Sequence, residues 1–118
     1  MHPAPQFRPI AVSAVVPAAA GTRSQRVNPW IPADGAAATI CRMSAGYELR
    51  EGAAVRKPTI PEVKALASFP PTFALAGSFA DQWARIGNSV PPLLCRAIAT
   101  EVRRLLDASG SCLPSRRV

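Results

Sequence analysis

The chain has 118 residues, enough for one domain at most, and a compact domain of this size buries about two thirds of its unfolded surface. Hydrophobic residues make up 48% of it, but alanine supplies much of that share, and 13 prolines are spread throughout. A net charge of +7 and a pI near 10.7 fit a polyanionic partner such as nucleic acid. Arginines outnumber lysines twelve to two, and the base composition of a source genome explains this excess equally well.

The cysteines indicate neither a disulfide framework nor a zinc site, because they are odd in number, far apart and without C-x-x-C spacing. No metal site is expected, and a reducing, cytoplasmic setting fits best. No apolar run approaches the roughly 20 residues needed to cross a bilayer. Residues 10–20 faintly resemble the core of a secretion signal, but a proline interrupts them, so a secreted protein is the least favoured interpretation.

The first half, residues 1–52, contains prolines that limit helix formation, and it predicts turns and short extended pieces. The predicted strands are Ile10 to Val16 and Thr39 to Met43. Large aliphatic side chains are sparse before Ile60, so this half is expected to need a partner surface.

A capping box predicts the first helix of the second half, because Thr59 is followed three residues later by Glu62. The helix is expected from about Ile60 to Ser68, where Phe69-Pro70-Pro71 stops it. Its apolar face is formed by Val63, Leu66 and Ala67.

A second capping box, Ser78 with Asp81, predicts a short helix that Gly87 ends. Phe79 and Trp83 lie at helical spacing on it. We favour core anchoring for both rings over lining of a cofactor pocket.

The third helix begins with Pro91 or Pro92 in its first turn, and Gly110 is expected to close it. An isolated helix of this length is marginal in water, so its apolar stripe must bury against something. The stripe consists of Leu94, Ile98, Val102, Leu105 and Leu106.

The chain offers no complete catalytic site. His2 is the only histidine and lies near the start, which argues against a Ser-His-Asp or Cys-His arrangement. No phosphate-binding glycine motif and no cluster of metal ligands is present.

Residues 56–73 read R-K-P-T-I-P-E-V-K-A-L-A-S-F-P-P-T-F, and residues 82–99 read Q-W-A-R-I-G-N-S-V-P-P-L-L-C-R-A-I-A. In order and spacing they resemble the last two conserved blocks of the DNA cytosine-5 methyltransferases. Ala38-Thr39-Ile40 resembles the P-T-I segment upstream of these blocks, with alanine in place of proline, so the likeness covers about residues 34–106. Arg85 departs from the pattern, since the family usually has glutamine there. The matching positions are Arg56, Pro58, Thr59, Glu62, Leu66, Phe69 and Pro70, then Ile86, Gly87, Asn88, Ser89, Val90, Pro91 and Pro92.

The resemblance implies methyl transfer from S-adenosylmethionine to carbon 5 of a cytosine flipped out of duplex DNA. It implies an α/β, Rossmann-like family fold, of which this chain is a C-terminal fragment, mostly irregular with a few short strands and about three helices. Residues 1–52 would be a remnant of the target-recognition region, poorly ordered alone. Residues 53–110 would be the C-terminal methyltransferase segment, whose final helix packs on the large domain, and residues 111–118 a flexible tail.

By this resemblance, the loop before the last helix touches the cofactor. Gly87 would permit positive φ after a helix, while the Asn88 amide and the Ser89 hydroxyl would bind the methionine end of S-adenosylmethionine. The alternative is that Gly-Asn-Ser is only a turn with capping polar residues.

In the earlier block, Arg56 and Glu62 resemble residues that support the base of the recognition domain. Structural support is favoured over direct phosphate contact by Arg56 or Lys57.

The family's glycine-rich cofactor loop, Pro-Cys nucleophile and Glu-Asn-Val block are missing, and neither Cys41 nor Cys95 follows a proline. The leading hypothesis is therefore a fragment, from a truncated or split gene, that is inactive alone. Alternatives are one subunit of a split methyltransferase that docks onto a larger subunit, and a small basic DNA-binding or adaptor module without catalysis.

Overall fold

The computed structural model describes residues 9–25 and 28–109. The three longer helices begin at the capping and proline patterns that predict them. Gly110, the tail 111–118 and His2 lie outside the described residues. The elements are α1 (Val12–Val15), β1 (Ala19–Arg23), β2 (Ile31–Pro32), β3 (Glu48–Glu51), β4 (Ala54–Arg56), α2 (Ile60–Leu66), α3 (Phe79–Gly87) and α4 (Pro92–Ala108).

Four short strands form one antiparallel sheet in the order β2-β1-β3-β4. Thr22 and Leu49 pair across β1 and β3, and both are fully buried on the core face. Because side chains alternate along a strand, Arg23 and Arg50 lie on the opposite, outer face. The hairpin of β3 and β4 turns at Gly52, so the sheet continues across residue 52.

Both strands predicted in the first half are wrong. The stretch from Ile10 to Val16 contains the helical turn α1, because Val12 and Val16 lie four residues apart and both are buried. The stretch from Thr39 to Met43 joins no strand within the described residues. Its Cys41 carbonyl instead accepts a hydrogen bond from a side chain of α3.

The larger core cluster lies between α2, α3 and the segment 38–47. Trp83 is fully buried, and its ring meets that of Tyr47 edge-on with centroids 5.3 Å apart. The Tyr47 hydroxyl donates to the carbonyl of Ala38 at 2.8 Å, and burial raises the pKa of Tyr47 to about 12. The buried members are Ala38, Tyr47, Val63, Ala67, Trp83 and Ile86. A second cluster between α1 and the sheet consists of Val12, Val16, Ala33 and Leu49.

Helix α4 packs against no other helix or strand in the described part of the chain. Its apolar stripe is exposed, from 36% at Leu94 to 54% at Ile98. The stability of a helix in a protein comes mostly from packing of its apolar face, and this 17-residue helix has no such packing within the described residues. Among the described helices, none is long and apolar enough to cross a membrane.

Candidate functional site

Residues 86–92 span the turn between α3 and α4, from the last residues of α3 to the first residue of α4, and α3 fixes the position of this turn. The predicted capping box at the start of α3 is confirmed: Ser78 Oγ accepts from the N–H of Asp81, and the Asp81 carboxylate accepts from the N–H of Ser78, each at 3.2 Å. The helix ends at Gly87, and the N–H of Asn88 donates to the carbonyl of Ala84 at 2.9 Å. The start of the turn is therefore an extension of a well-capped helix.

The expectation that Gly87 has positive φ is wrong. Gly87 is the last residue of α3, and its φ is outside the left-handed region. The residue lacks a side chain for another reason, which is the close approach of a second chain segment. A Cβ here would overlap the carbonyl group of Cys41 and lie 2.8 Å from the Cα of Arg42. Glycine at position 87 thus lets residues 41–42 pack directly on α3.

Asn88 and Ser89 both offer polar atoms to a ligand. The Asn88 side chain is exposed and makes no hydrogen bond within the described residues, so its amide retains two donors and an acceptor. Ser89 is half-buried, and its hydroxyl donates to the carbonyl of Ile86 at 2.6 Å. The lone pairs of the Ser89 oxygen remain able to accept.

A groove of about 420 Å³ opens beside this turn. Its lining residues are mostly apolar and come from 9–10, 36–40, 66–68 and 86–94. The structure brings Gly87 and Ser89 into the wall of the groove, whereas Asn88 lies outside the lining. Leu93 and Leu94, at the start of α4, close the same wall, so the groove is continuous with the exposed stripe of that helix.

Arg56 and Glu62 meet in a bidentate ion pair that joins β4 to α2. Arg56 Nη1 and Nη2 donate to the two carboxylate oxygens of Glu62, each at 2.7 Å. Nε and Nη2 also donate to Glu51 Oε1, at 3.1 and 2.6 Å, and Nη1 donates to the carbonyl of Lys57 at 3.4 Å. All five guanidinium N–H groups therefore have an acceptor within the protein, and none is left for a phosphate.

Glu62 also caps α2, as its sequence pattern predicts. Its carboxylate accepts from the N–H of Thr59 at 2.8 Å, and Thr59 Oγ1 accepts from the N–H of Glu62 at 3.4 Å. Hydrogen bonds from Arg56 lower the pKa of the Glu62 carboxyl to about 2, although burial opposes the shift. The pKa of Arg56 is raised above its usual range, first by Glu62 and then by Glu51.

The stability of the fold is expected to fall in acid because of Glu62. A carboxyl whose pKa is about 2 when folded and near 4.5 when unfolded stabilises the fold above pH 4.5, and that contribution is lost as the pH falls through about 2. Urea unfolding of the wild type and of Glu62→Gln should therefore show a difference at pH 7 that shrinks towards pH 2. Asp107→Asn, which removes an exposed partner on α4, should run parallel to the wild type. A constant difference for Glu62→Gln would contradict this role.

The other residues singled out from the sequence hold loops in place. Lys57 is exposed, and its Nζ donates to Ser44 Oγ at 3.1 Å. Arg85 donates to the carbonyl of Ala76 at 2.5 Å and so holds the segment before α3.

The prediction that Trp83 anchors the core is confirmed. For Phe79 it is wrong, because that ring is 42% exposed and touches only the rim of the core.

Sequence reasoning missed the role of Ser68. The predicted helix to this residue ends at Leu66 instead, in a Schellman motif in which Ser68 and Phe69 donate their N–H groups to the carbonyls of Ala65 and Lys64. Ser68 has a left-handed φ of 67°, where glycine is usual. Its Oγ accepts from the N–H of Leu93 at 3.0 Å, which ties the end of α2 to the start of α4.

Two substitutions at Ser68 should separate its backbone strain from its hydrogen bond. Ser68→Ala keeps the left-handed strain and removes the acceptor, so it should lower the free energy of unfolding. Ser68→Gly removes both, and it should be more stable than Ser68→Ala by about 1 kcal/mol. Hydrogen exchange at the Leu93 amide should be faster in both variants than in the wild type. Unchanged exchange in both would contradict the proposed tie.

The two sequence blocks thus stand on the adjacent helices α2 and α3, with the Gly-Asn-Ser turn at a groove. The model of the C-5 cytosine-specific DNA methylase family matches residues 17–104, which is most of the chain. The chain belongs to this family, and the resemblance drawn from the two blocks is confirmed.

Two curated relatives match part of the chain. This chain is 48% identical over 56 residues to Type II methyltransferase M.AplI of Arthrospira platensis, and the match covers 48% of this chain and 16% of that protein. The chain is also 44% identical over 50 residues to Type II methyltransferase M1.HphI of Haemophilus parahaemolyticus, and this match covers 42% of this chain and 13% of that protein. No solved structure gives a significant match. The matched stretches are therefore a small part of each relative.

Proposed function

We propose that this chain is the part of a DNA cytosine-5 methyltransferase that borders the methionine end of the S-adenosylmethionine site and docks onto the catalytic domain. The turn at residues 86–92 carries the proposal. It brings Gly87 and the half-buried Ser89 into the wall of an apolar groove, and between them in sequence is Asn88, whose exposed amide makes no hydrogen bond within the described residues. It also leads directly into α4, whose apolar stripe has no partner within the described residues.

The donor set of the turn fits the methionine end of the cofactor, which carries a carboxylate and an ammonium group. The Asn88 amide can hydrogen-bond either group, and the Ser89 oxygen can accept from the ammonium. Gly87 contributes backbone atoms to the groove wall. S-adenosylmethionine, when bound, supplies the methyl group, and the role of these residues is to bind and orient its polar end.

Catalysis is proposed to lie outside these 118 residues, so we assign no catalytic residue. Cys41 and Cys95 are exposed, and neither follows a proline as the family's nucleophile does. The nucleophile and the main cofactor site would belong to an α/β, Rossmann-like domain, and the chain alone would be inactive. The unpartnered stripe of α4 equally favours a split enzyme, in which that domain is a larger subunit.

DNA is the proposed substrate of the complete enzyme, with the target cytosine flipped out of the duplex. Within this chain Arg56 and Glu62 would position the sheet relative to α2, because the guanidinium has no donor left for DNA. The bacterial relatives are named type II methyltransferases, so a restriction-modification role in the cytoplasm is the proposed setting.

A chimera tests this function. In the Arthrospira platensis relative, the corresponding segment would be replaced by residues 17–104 of this chain, and methyl transfer from S-adenosylmethionine to DNA would be measured. We expect transfer, with Asn88→Ala raising the KM for S-adenosylmethionine by about tenfold or more.

Asn28→Ala is the matched control, because the Asn28 side chain donates to Ser24 Oγ near the sheet and does not line the groove, and it should leave that KM unchanged. A folded chimera without transfer would reject the proposed function. An unchanged KM in Asn88→Ala would reject the assignment of the cofactor contact.

A further inference from the structure

Two arginines on the outer face of the sheet pack against one indole ring. The guanidinium carbons of Arg23 and Arg50 lie 4.4 and 4.9 Å from the ring centroid of Trp30. Arg23 is also held by Glu48, which pairs with it across β1 and β3 and accepts from its Nε at 3.0 Å. These four residues, Arg23, Trp30, Glu48 and Arg50, are named the Arg-Trp cluster below.

Arg50 differs from the other arginines of the sheet in the hydrogen bonds that its guanidinium makes. Arg23 forms an ion pair with Glu48, and all five guanidinium N–H groups of Arg56 donate to acceptors in the protein. Arg50 is half-buried beside Trp30, yet its guanidinium donates no hydrogen bond to any described residue. A guanidinium stacked on a ring has lost part of its side-chain freedom before any ligand binds. The guanidinium of Arg50 is therefore held in position by Trp30, while its N–H groups have no acceptor among the described residues.

The charge of the Arg-Trp cluster indicates an anionic ligand. Two guanidinium groups and one carboxylate leave a net positive charge on the face of the sheet that points away from the core. Arginine binds phosphate oxygens through short, charge-assisted hydrogen bonds, and phosphate and sugar take at least about half of the hydrogen bonds between proteins and DNA. The net charge of +7 on the whole chain acts in the same direction.

We propose that the Arg-Trp cluster contacts the phosphate backbone of duplex DNA, with Arg50 as the phosphate ligand and Trp30 as the platform that holds its guanidinium. This rests on the proposed function, in which DNA is the substrate. The proposal therefore assigns phosphate contact to Arg50 and not to Arg56 on the neighbouring strand, because the N–H donors of Arg56 are occupied.

The test uses the 118-residue chain and a short fluorescein-labelled DNA duplex, with binding followed by anisotropy over a range of salt concentrations. Arg50→Gln should weaken binding at low salt and reduce the slope of log K against log salt by about 0.9, the value for one lost phosphate contact. Arg103→Gln removes the same charge from an exposed site on α4 and should change neither quantity.

Tryptophan fluorescence locates the contact independently. Trp30 and Trp83 are the only tryptophans, and Trp83 is fully buried, so a change on adding DNA reports on Trp30. The change should disappear in Trp30→Phe. Inorganic phosphate at matched ionic strength should not reproduce it.

Three results would overturn the proposal: no binding of the duplex at low salt, wild-type binding by Arg50→Gln, or an equal loss in Arg103→Gln. If the duplex does not bind but the chimera transfers methyl groups, the Arg-Trp cluster is rejected and the proposed function stands. If the duplex binds through Arg50 but the chimera is inactive, the reverse holds.

Discussion

Trp83→Ala should unfold this chain or leave it barely stable. The ring is fully buried, meets Tyr47 edge-on, and donates from Nε1 to the carbonyl of Cys41 at 2.9 Å. Truncation of a buried tryptophan to alanine typically costs about 3–5 kcal/mol, and a small domain has only about 5–15 kcal/mol in total. The carbonyl of Cys41 would also lose its partner. Thermal unfolding followed by circular dichroism measures the effect.

Phe79→Ala provides the comparison, because Phe79 lies one turn earlier on α3 and is 42% exposed. Its loss should cost about 1 kcal/mol or less, since the ring already contacts water over much of its area. Equal losses in the two variants would show that the segment 38–47 is not held by Trp83.

Gly87→Ala has the second largest expected effect. The added methyl group overlaps the carbonyl group of Cys41, and backbone atoms can move aside less easily than a flexible side chain. Overpacking of this kind costs about 1–3 kcal/mol, which exceeds the helix propensity that alanine gains over glycine. Urea unfolding should therefore show a lower midpoint for the variant.

Gly35→Ala is the control for this change. A Cβ at Gly35 meets nothing within 4 Å, and the residue does not have positive φ. The substitution should be neutral or should stabilise by about 0.4–1 kcal/mol, through a smaller entropy of the unfolded chain. Only the change at position 87 should therefore lower the stability. An unchanged urea midpoint for Gly87→Ala would mean that close packing does not specify glycine at position 87.

Local signals predicted the helices well, whereas the sheet was missed. The capping boxes at Thr59 and Ser78 place hydrogen-bonding groups within three residues of each other, so the sequence alone contains the interaction. The strands owe their existence to partners far along the chain, such as Thr22 with Leu49. Their sequences contain few large apolar residues, so the alternation that identifies a strand is absent.

In the candidate site, too, the sequence predicted local features and missed the contacts between residues far apart in the chain. The pattern of residue types located the turn at Asn88 and Ser89, and the family resemblance assigned Arg56 and Glu62 to structural support, but the ion pair between them was not predicted. The physical reason for Gly87 was misjudged, because the close approach of Cys41 is a tertiary contact that no neighbouring residue reveals. The tie from Ser68 to α4 and the position of Arg50 beside Trp30 were missed for the same reason.

Docking of α4 onto a catalytic domain is tested most directly by a binding measurement with a matched pair of variants. The 118-residue chain would be titrated into the Arthrospira platensis relative from which the corresponding segment has been deleted. Ile98→Asp puts a charge in the centre of the exposed stripe, whereas Thr100→Asp puts the same charge two residues on, about 200° around the helix.

We expect the wild type and Thr100→Asp to bind equally, and Ile98→Asp to bind at least about tenfold more weakly, because burial of an unpaired carboxylate is costly. Equal binding by all three, or no binding by the wild type, would contradict the proposal that this stripe is the surface through which the chain joins its catalytic domain.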